Sequence, residues 1–192
     1  MLTHCRYGHA DHLDRSGVQL LAEHHIPVYA QARDRAYLQR RGLHVAPLRV
    51  GVCQPFLDGT ILPVPAQHGH DWLHWLMGPG VGYVIELPNE PSVYICGDTI
   101  LTPAVAETIA TVKPAIVILE AGGARLDIGR PILMTPDEVI RCVTLASGRV
   151  VAIHMEALNH CPTTRQCIRE RAEQAGVIHK VLIPDDGAML QL

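Results

Sequence analysis

The chain holds 192 residues, with 16 Lys+Arg against 19 Asp+Glu, 12 His and 6 Cys. An apolar fraction of 48% and a net charge of −3 exclude a disordered chain and argue against a general polyanion binder, so nucleic acid is not an expected partner. No apolar run nears the roughly 20 residues of a membrane span, and the opening MLTHCRYGHADH lacks a signal-peptide pattern. The cysteines form no CxxC pair, and several lie in apolar runs such as VYICGD and VIRCVTLA, as reduced core thiols would. The expected compartment is the cytoplasm. Histidines outnumber Phe, Tyr and Trp together, and they cluster.

In chain order, residues 16–23 predict a helix with Val18, Leu20 and Leu21 on its buried side, stopped by Pro27. PVYA (27–30) predicts a short strand, and a second helix is expected over 32–41, ending at Gly42. Arg33, Arg35, Arg40 and Arg41 then form a basic stripe on that helix. Strands are expected over 44–50, 60–66, 81–87 and 92–97, the last two as a hairpin through Pro88, Asn89, Glu90 and Pro91. Trp72, His74, Trp75 and Met77 fall between strands, in a segment that reads equally as a flap or a packed loop. Thr102-Pro103 and Thr135-Pro136 each open a helix, with threonine as N-cap and proline in the first turn. Buried strands are expected at 115–120 and 149–154, a helix from Thr163 or Thr164, and a strand at 180–184. Antiparallel strands followed by strand–helix alternation predict one layered α/β domain over 1–192, with no repeat or linker.

The strongest local motif is His9-Ala10-Asp11-His12 ahead of a helix. Imidazole and carboxylate suit zinc and similar divalent metals, whereas a polar turn with a helix-capping Asp is the plainer alternative. His68, Asp98 and His154 each end an apolar run, after ILPVPAQ, VYICG and VVAI. Strand ends hold side chains rigidly at a sheet's rim, so scattered ones can build one site. Jointly, these residues predict two metal half-sites with a bridging carboxylate.

The order His4…HADHLD, AQHG, YICGDT and AIHMEALNHC resembles the metallo-β-lactamase-fold hydrolases. It is most similar to the branch with ascorbate-phosphate lactonase-like proteins and N-acyl-phosphatidylethanolamine phospholipase D. ILEAGGA (118–124) and VLIPDDG (181–187) extend the likeness over essentially the whole chain. The resemblance implies an αββα sandwich and a hydrolase that attacks an ester, lactone or phosphodiester with a metal-bound hydroxide. It implies His9 and His68 on one metal, Asp11, His12 and His154 on a second, and Asp98 between them. Zinc is the expected ion, with manganese or iron as alternatives. Asp11 would position the hydroxide and exchange a proton, and His160, near Glu156 and Asn159, would serve as an auxiliary proton donor.

Two departures stand out. The family motif is His-x-His-x-Asp-His, yet Tyr7 stands two before His9, so His4 is the candidate for the missing ligand across an insertion. The family fold also begins several strands earlier, which implies a fold lacking its N-terminal strands, with homo-oligomerisation as one way to cover the exposed face. A non-catalytic remnant acting as a metal-binding or interaction module is the competing reading. Gly122-Gly123 reads either as a turn or as part of the site, and His24, His25, His44 and His179 carry no motif.

Overall fold

A computed structural model describes residues 1–5 and 12–191 of the chain. Two sheets and two helical layers stack in the order helix, sheet, sheet, helix, each layer following from where the sequence places its apolar residues.

Helix α1 (Arg15–Glu23) is capped by Asp14, whose carboxylate accepts from the Gly17 backbone N–H. With α2 (Arg35–Arg40) it covers a two-stranded parallel sheet of β1 (Val28–Gln31) and β2 (Val45–Leu48). Val18, Leu21 and Ala22 recur at i, i+3 and i+4 and pack on Leu13, Val28, Leu38 and Val45. Leu20, expected on the same side, is instead 54% exposed, because a residue two after Val18 sits on the opposite face of the helix. The arginine stripe of α2 faces solvent, apart from Arg41, which lies over the Tyr37 ring.

The larger sheet runs β3 (Gln54–Phe56), β4 (Gly59–Gln67), β5 (Pro79–Glu86), β6 (Val93–Ile95), β7 (Ile116–Glu120), β8 (Arg149–Ile153) and β9 (Val181–Leu182). Pairing is antiparallel from β3 to β6 and parallel from β6 to β9, as the order of elements in the sequence predicts. Strand β3 is not foreseen from the sequence, because three residues containing Pro55 carry no alternation. The expected strand over 180–184 shrinks to Val181–Leu182.

One face of this sheet packs on β1 and β2 through Leu48, Ile61, Val81 and Tyr83, with the Tyr29 and Phe56 rings edge to face at 4.9 Å. The other face carries α4 (Pro103–Val112), α5 (Pro136–Leu145) and α6 (Arg165–Gln174). Thr102, Thr135 and Thr164 cap these helices, and Thr135 forms a reciprocal capping box with Glu138. The segment 71–77, expected as a flap or loop, is helix α3 (Asp71–Met77). Leu73 and Met77, four apart, anchor it on Ala124, Ile132, Leu133 and Cys161. The six cysteines form no disulfide with one another. Among the described residues no helix is long and apolar enough to cross a membrane.

Ile109, fully buried in α4, and Thr135 separate the two kinds of stabilisation. Ile109→Ala is expected to cost about 2–5 kcal/mol through lost burial and a cavity. Thr135→Ala is expected to cost about 1 kcal/mol through a lost cap. Urea unfolding of both variants measures the difference.

Candidate metal centre and its cavity

Strands β4, β6, β7 and β8 all point their C-terminal ends to one edge of the large sheet. His68 follows β4, Asp98 follows β6, Glu120 closes β7 and His154 follows β8. An edge of this kind is where open α/β sheets bind ligands. His4 arrives there by a different route. The Leu2 N–H donates to the Tyr29 carbonyl and the Thr3 carbonyl accepts from the Val81 N–H, so the N-terminal segment bridges the two sheets. Gly97 turns the chain from β6 into Asp98 at φ +68, and a Cβ there would meet Thr3 at 3.0 Å.

The result is a compact donor set. One ligand atom from each of His4, His68 and Asp98 lies within 4.8 Å of the others, and all three residues are buried. Asp98 Oδ2 stands 3.9 Å from His4 Nε2, 3.5 Å from His68 Nε2 and 3.4 Å from His12 Nε2. Burial alone would raise the Asp98 pKa. The hydrogen bond from His12 and the fields of His68, His12 and His4 outweigh it, holding the carboxyl well below the usual carboxylate range.

The histidines are oriented from behind. His68 Nδ1 is 2.8 Å from the Ile132 carbonyl, which can only accept, so Nδ1 carries a proton and Nε2 is the ring nitrogen left facing Asp98. The same carbonyl takes the Gly69 N–H. His154 sits at φ +61, unusual for a residue with a Cβ, and its Nδ1 lies 3.7 Å from Cys161 Sγ. Gly122 makes this possible. A Cβ at that position would meet the His154 carbonyl at 2.2 Å and Cys161 Sγ at 3.1 Å, so the pair of glycines serves close approach beside the site. Two imidazoles and a carboxylate on one side, with His12 adjoining, suit a divalent cation in both donor type and spacing.

Of the residues expected from sequence, His4, His12, His68 and Asp98 come together here. His154 and His160 line the same cavity as His68 and Asp98, with His160 exposed toward its mouth beside Asn159. His9 and Asp11 lie outside the described residues. Glu156 takes no part in the cavity. It binds Arg165, which also holds Asp186. His24, His25, His44 and His179 are exposed. The cavity occupies about 990 Å³, and its wall includes Arg125, Leu126 and Asp127 after β7, which no motif announced.

Glu120 is the other residue that sequence reasoning missed, although it ends the apolar run AIVILE just as Asp98 ends its own. It is 8% exposed and its Oε2 has no hydrogen-bond partner. Burial, reinforced by the Asp98 charge, pushes its pKa up to about 8. Below the unfolded value near 4.5 both states keep the proton and nothing is lost. Between there and about 8 the unfolded chain releases the proton while the folded chain retains it, so stability falls as pH rises. Glu120→Gln removes that loss. The metal-free variant is expected to be more stable than the parent by on the order of a few kcal/mol above pH ~8, converging with it below pH ~4.5, in melts across the pH range.

Residues 2–155 match the family model described as the beta-lactamase superfamily domain. The UPF0173 protein YddR of Bacillus subtilis (strain 168) is 31% identical over 129 residues, which cover 66% of this chain and 51% of that protein. The chain thus spans about half the length of that curated relative. The isothiocyanate hydrolase from Delia radicum gut bacteria superposes with a TM-score of 0.87 at 31% identity, covering 100% of this chain and 75% of its own. A possible metal-dependent hydrolase from Veillonella parvula DSM 2008 gives 0.87 at 25% identity, covering 100% and 74%. With its αββα layering and its His/Asp cluster at the strand ends, the chain belongs to the beta-lactamase superfamily and has the metallo-β-lactamase fold.

Proposed function

We propose that residues 1–192 act as a metal-dependent hydrolase domain. Its substrate would carry an ester, lactone or phosphodiester, and the likeness to an isothiocyanate hydrolase adds that electrophile to the set. The observation that carries this reading is the buried convergence of His4, His68 and Asp98 within 4.8 Å, where His68 and Asp98 line a cavity.

His4, His9 and His68 would hold one ion, Asp11, His12 and His154 a second, with Asp98 shared. Divalent ions, zinc first and manganese or iron as alternatives, supply Lewis acidity and bring the pKa of water toward neutrality. The protein's own part is orientation and proton traffic. The Ile132 carbonyl fixes the His68 tautomer, so that ring need not reorient on loading. Asp98 is held toward its ionised, metal-binding form by its histidine neighbours. Asp11 would accept the proton of the attacking water, and His160, at the mouth, would deliver one to the leaving group.

Asp98→Ala and His68→Ala test the assignment. Each is expected to reduce zinc content and to lower kcat/KM by at least the 10–100-fold typical of losing even a supporting residue around a metal. Elemental analysis of purified protein, with an ester, lactone, phosphodiester and isothiocyanate panel under added zinc or manganese, checks both. Unchanged metal content in the Asp98 variant would remove the site.

A further inference from the structure

We propose that the outer wall of the cavity seats an apolar arm of the substrate, so that the chain selects amphiphilic electrophiles over small or multiply charged ones. For turnover this rests on the hydrolase reading; for binding it does not.

Beside the candidate ligands His68, Asp98 and His154, the cavity lining mixes apolar Leu126 and Leu158 with polar Asn159 and His160. About 990 Å³ lies at the upper end of cavities that enclose ligands of drug size, far beyond what a reacting group alone needs. The wall is a built feature. Helix α3 and the loop over 125–131 support one another, for a Cβ at Gly129 would meet Leu73 Cδ1 at 2.8 Å, and Arg130 reaches Asp71 at 3.9 Å.

Large apolar groups are left in water along this same wall. Leu126 and Leu158 are 40% and 42% exposed while lining the cavity, and Ile128, between two lining residues, is 77% exposed. Half-exposed apolar side chains that line one cavity mark a binding surface, whereas scattered single residues would need no explanation. Its continuity with the candidate ligands identifies the occupant as part of the substrate itself. Charge agrees with this, because Arg125 on the wall is offset by Asp127, and a second anionic group on the substrate would meet no free excess of cations there.

Zinc-loaded protein is assayed with p-nitrophenyl esters from acetate to octanoate and with p-nitrophenyl phosphate, a dianion at neutral pH. In parallel, calorimetry measures binding of the straight-chain carboxylates acetate to octanoate. At about 0.8 kcal/mol per buried methylene, kcat/KM and affinity are each expected to rise about fourfold per carbon, and the dianionic phosphate monoester to be the poorest substrate. Leu126→Asp with Leu158→Asp, both at partly exposed positions, is expected to flatten the carboxylate series. A parent series that is flat or falling, or a slope unchanged in the variant, overturns the apolar seat, and turnover with a flat series leaves the hydrolase reading standing. A rising carboxylate series without turnover supports the seat and sinks the hydrolase.

Discussion

A carboxylate removed from water is costly unless it is paired, and Asp98 is such a carboxylate. The architecture of the site is the solution to that cost. Three imidazoles stand within 3.9 Å of its Oδ2. The N-terminal segment crosses between the sheets to bring His4, and a left-handed glycine turns Asp98 inward. In return, the cluster is pre-formed. A cation entering it would replace weak imidazole–carboxylate contacts with stronger coordination and little rearrangement.

The support for this cluster comes mainly from one stretch, the chain between β7 and α5. Its Gly122 lets the His154 turn approach, its Ile132 carbonyl fixes His68, and its Arg125 to Asp127 wall the cavity. Backbone atoms orient the histidines more reliably than side chains would, because a carbonyl fixed in a hydrogen-bonded loop has no rotamer to lose. The same stretch packs on α3, so the candidate ligands and the cavity wall are parts of one assembly. Glu120, the last residue before this stretch, contrasts with Asp98. Two carboxyl groups at neighbouring strand ends are pushed in opposite directions, one kept charged by imidazoles and the other kept neutral by burial.

Much of this was legible beforehand, for identifiable reasons. Thr102, Thr135 and Thr164 announce their helices because capping is a contact within one turn. His68, Asp98 and His154 stand out because a polar residue closing an apolar run is a local contrast. Glu120 offered the same contrast and was passed over, since a Glu followed by Ala-Gly-Gly matched no ligand pattern. Leu20 was misplaced because two adjacent leucines cannot share one helical face, and α3 was missed because its anchors, Leu73 and Met77, have partners only in distant segments.

The amino-acid sequence by itself determined most of the elements, their order, the α/β class and the kinds of donor available, because these depend largely on contacts within a few residues. Which donors meet was decided by the tertiary structure. His4 joins His68 and Asp98 only because the N-terminal segment pairs with β1 and β5. The pKa of Asp98, the tautomer of His68 and the lining of the cavity likewise arise from groups far apart in sequence. Coulomb fields and packing act through space, and only the folded chain sets those distances.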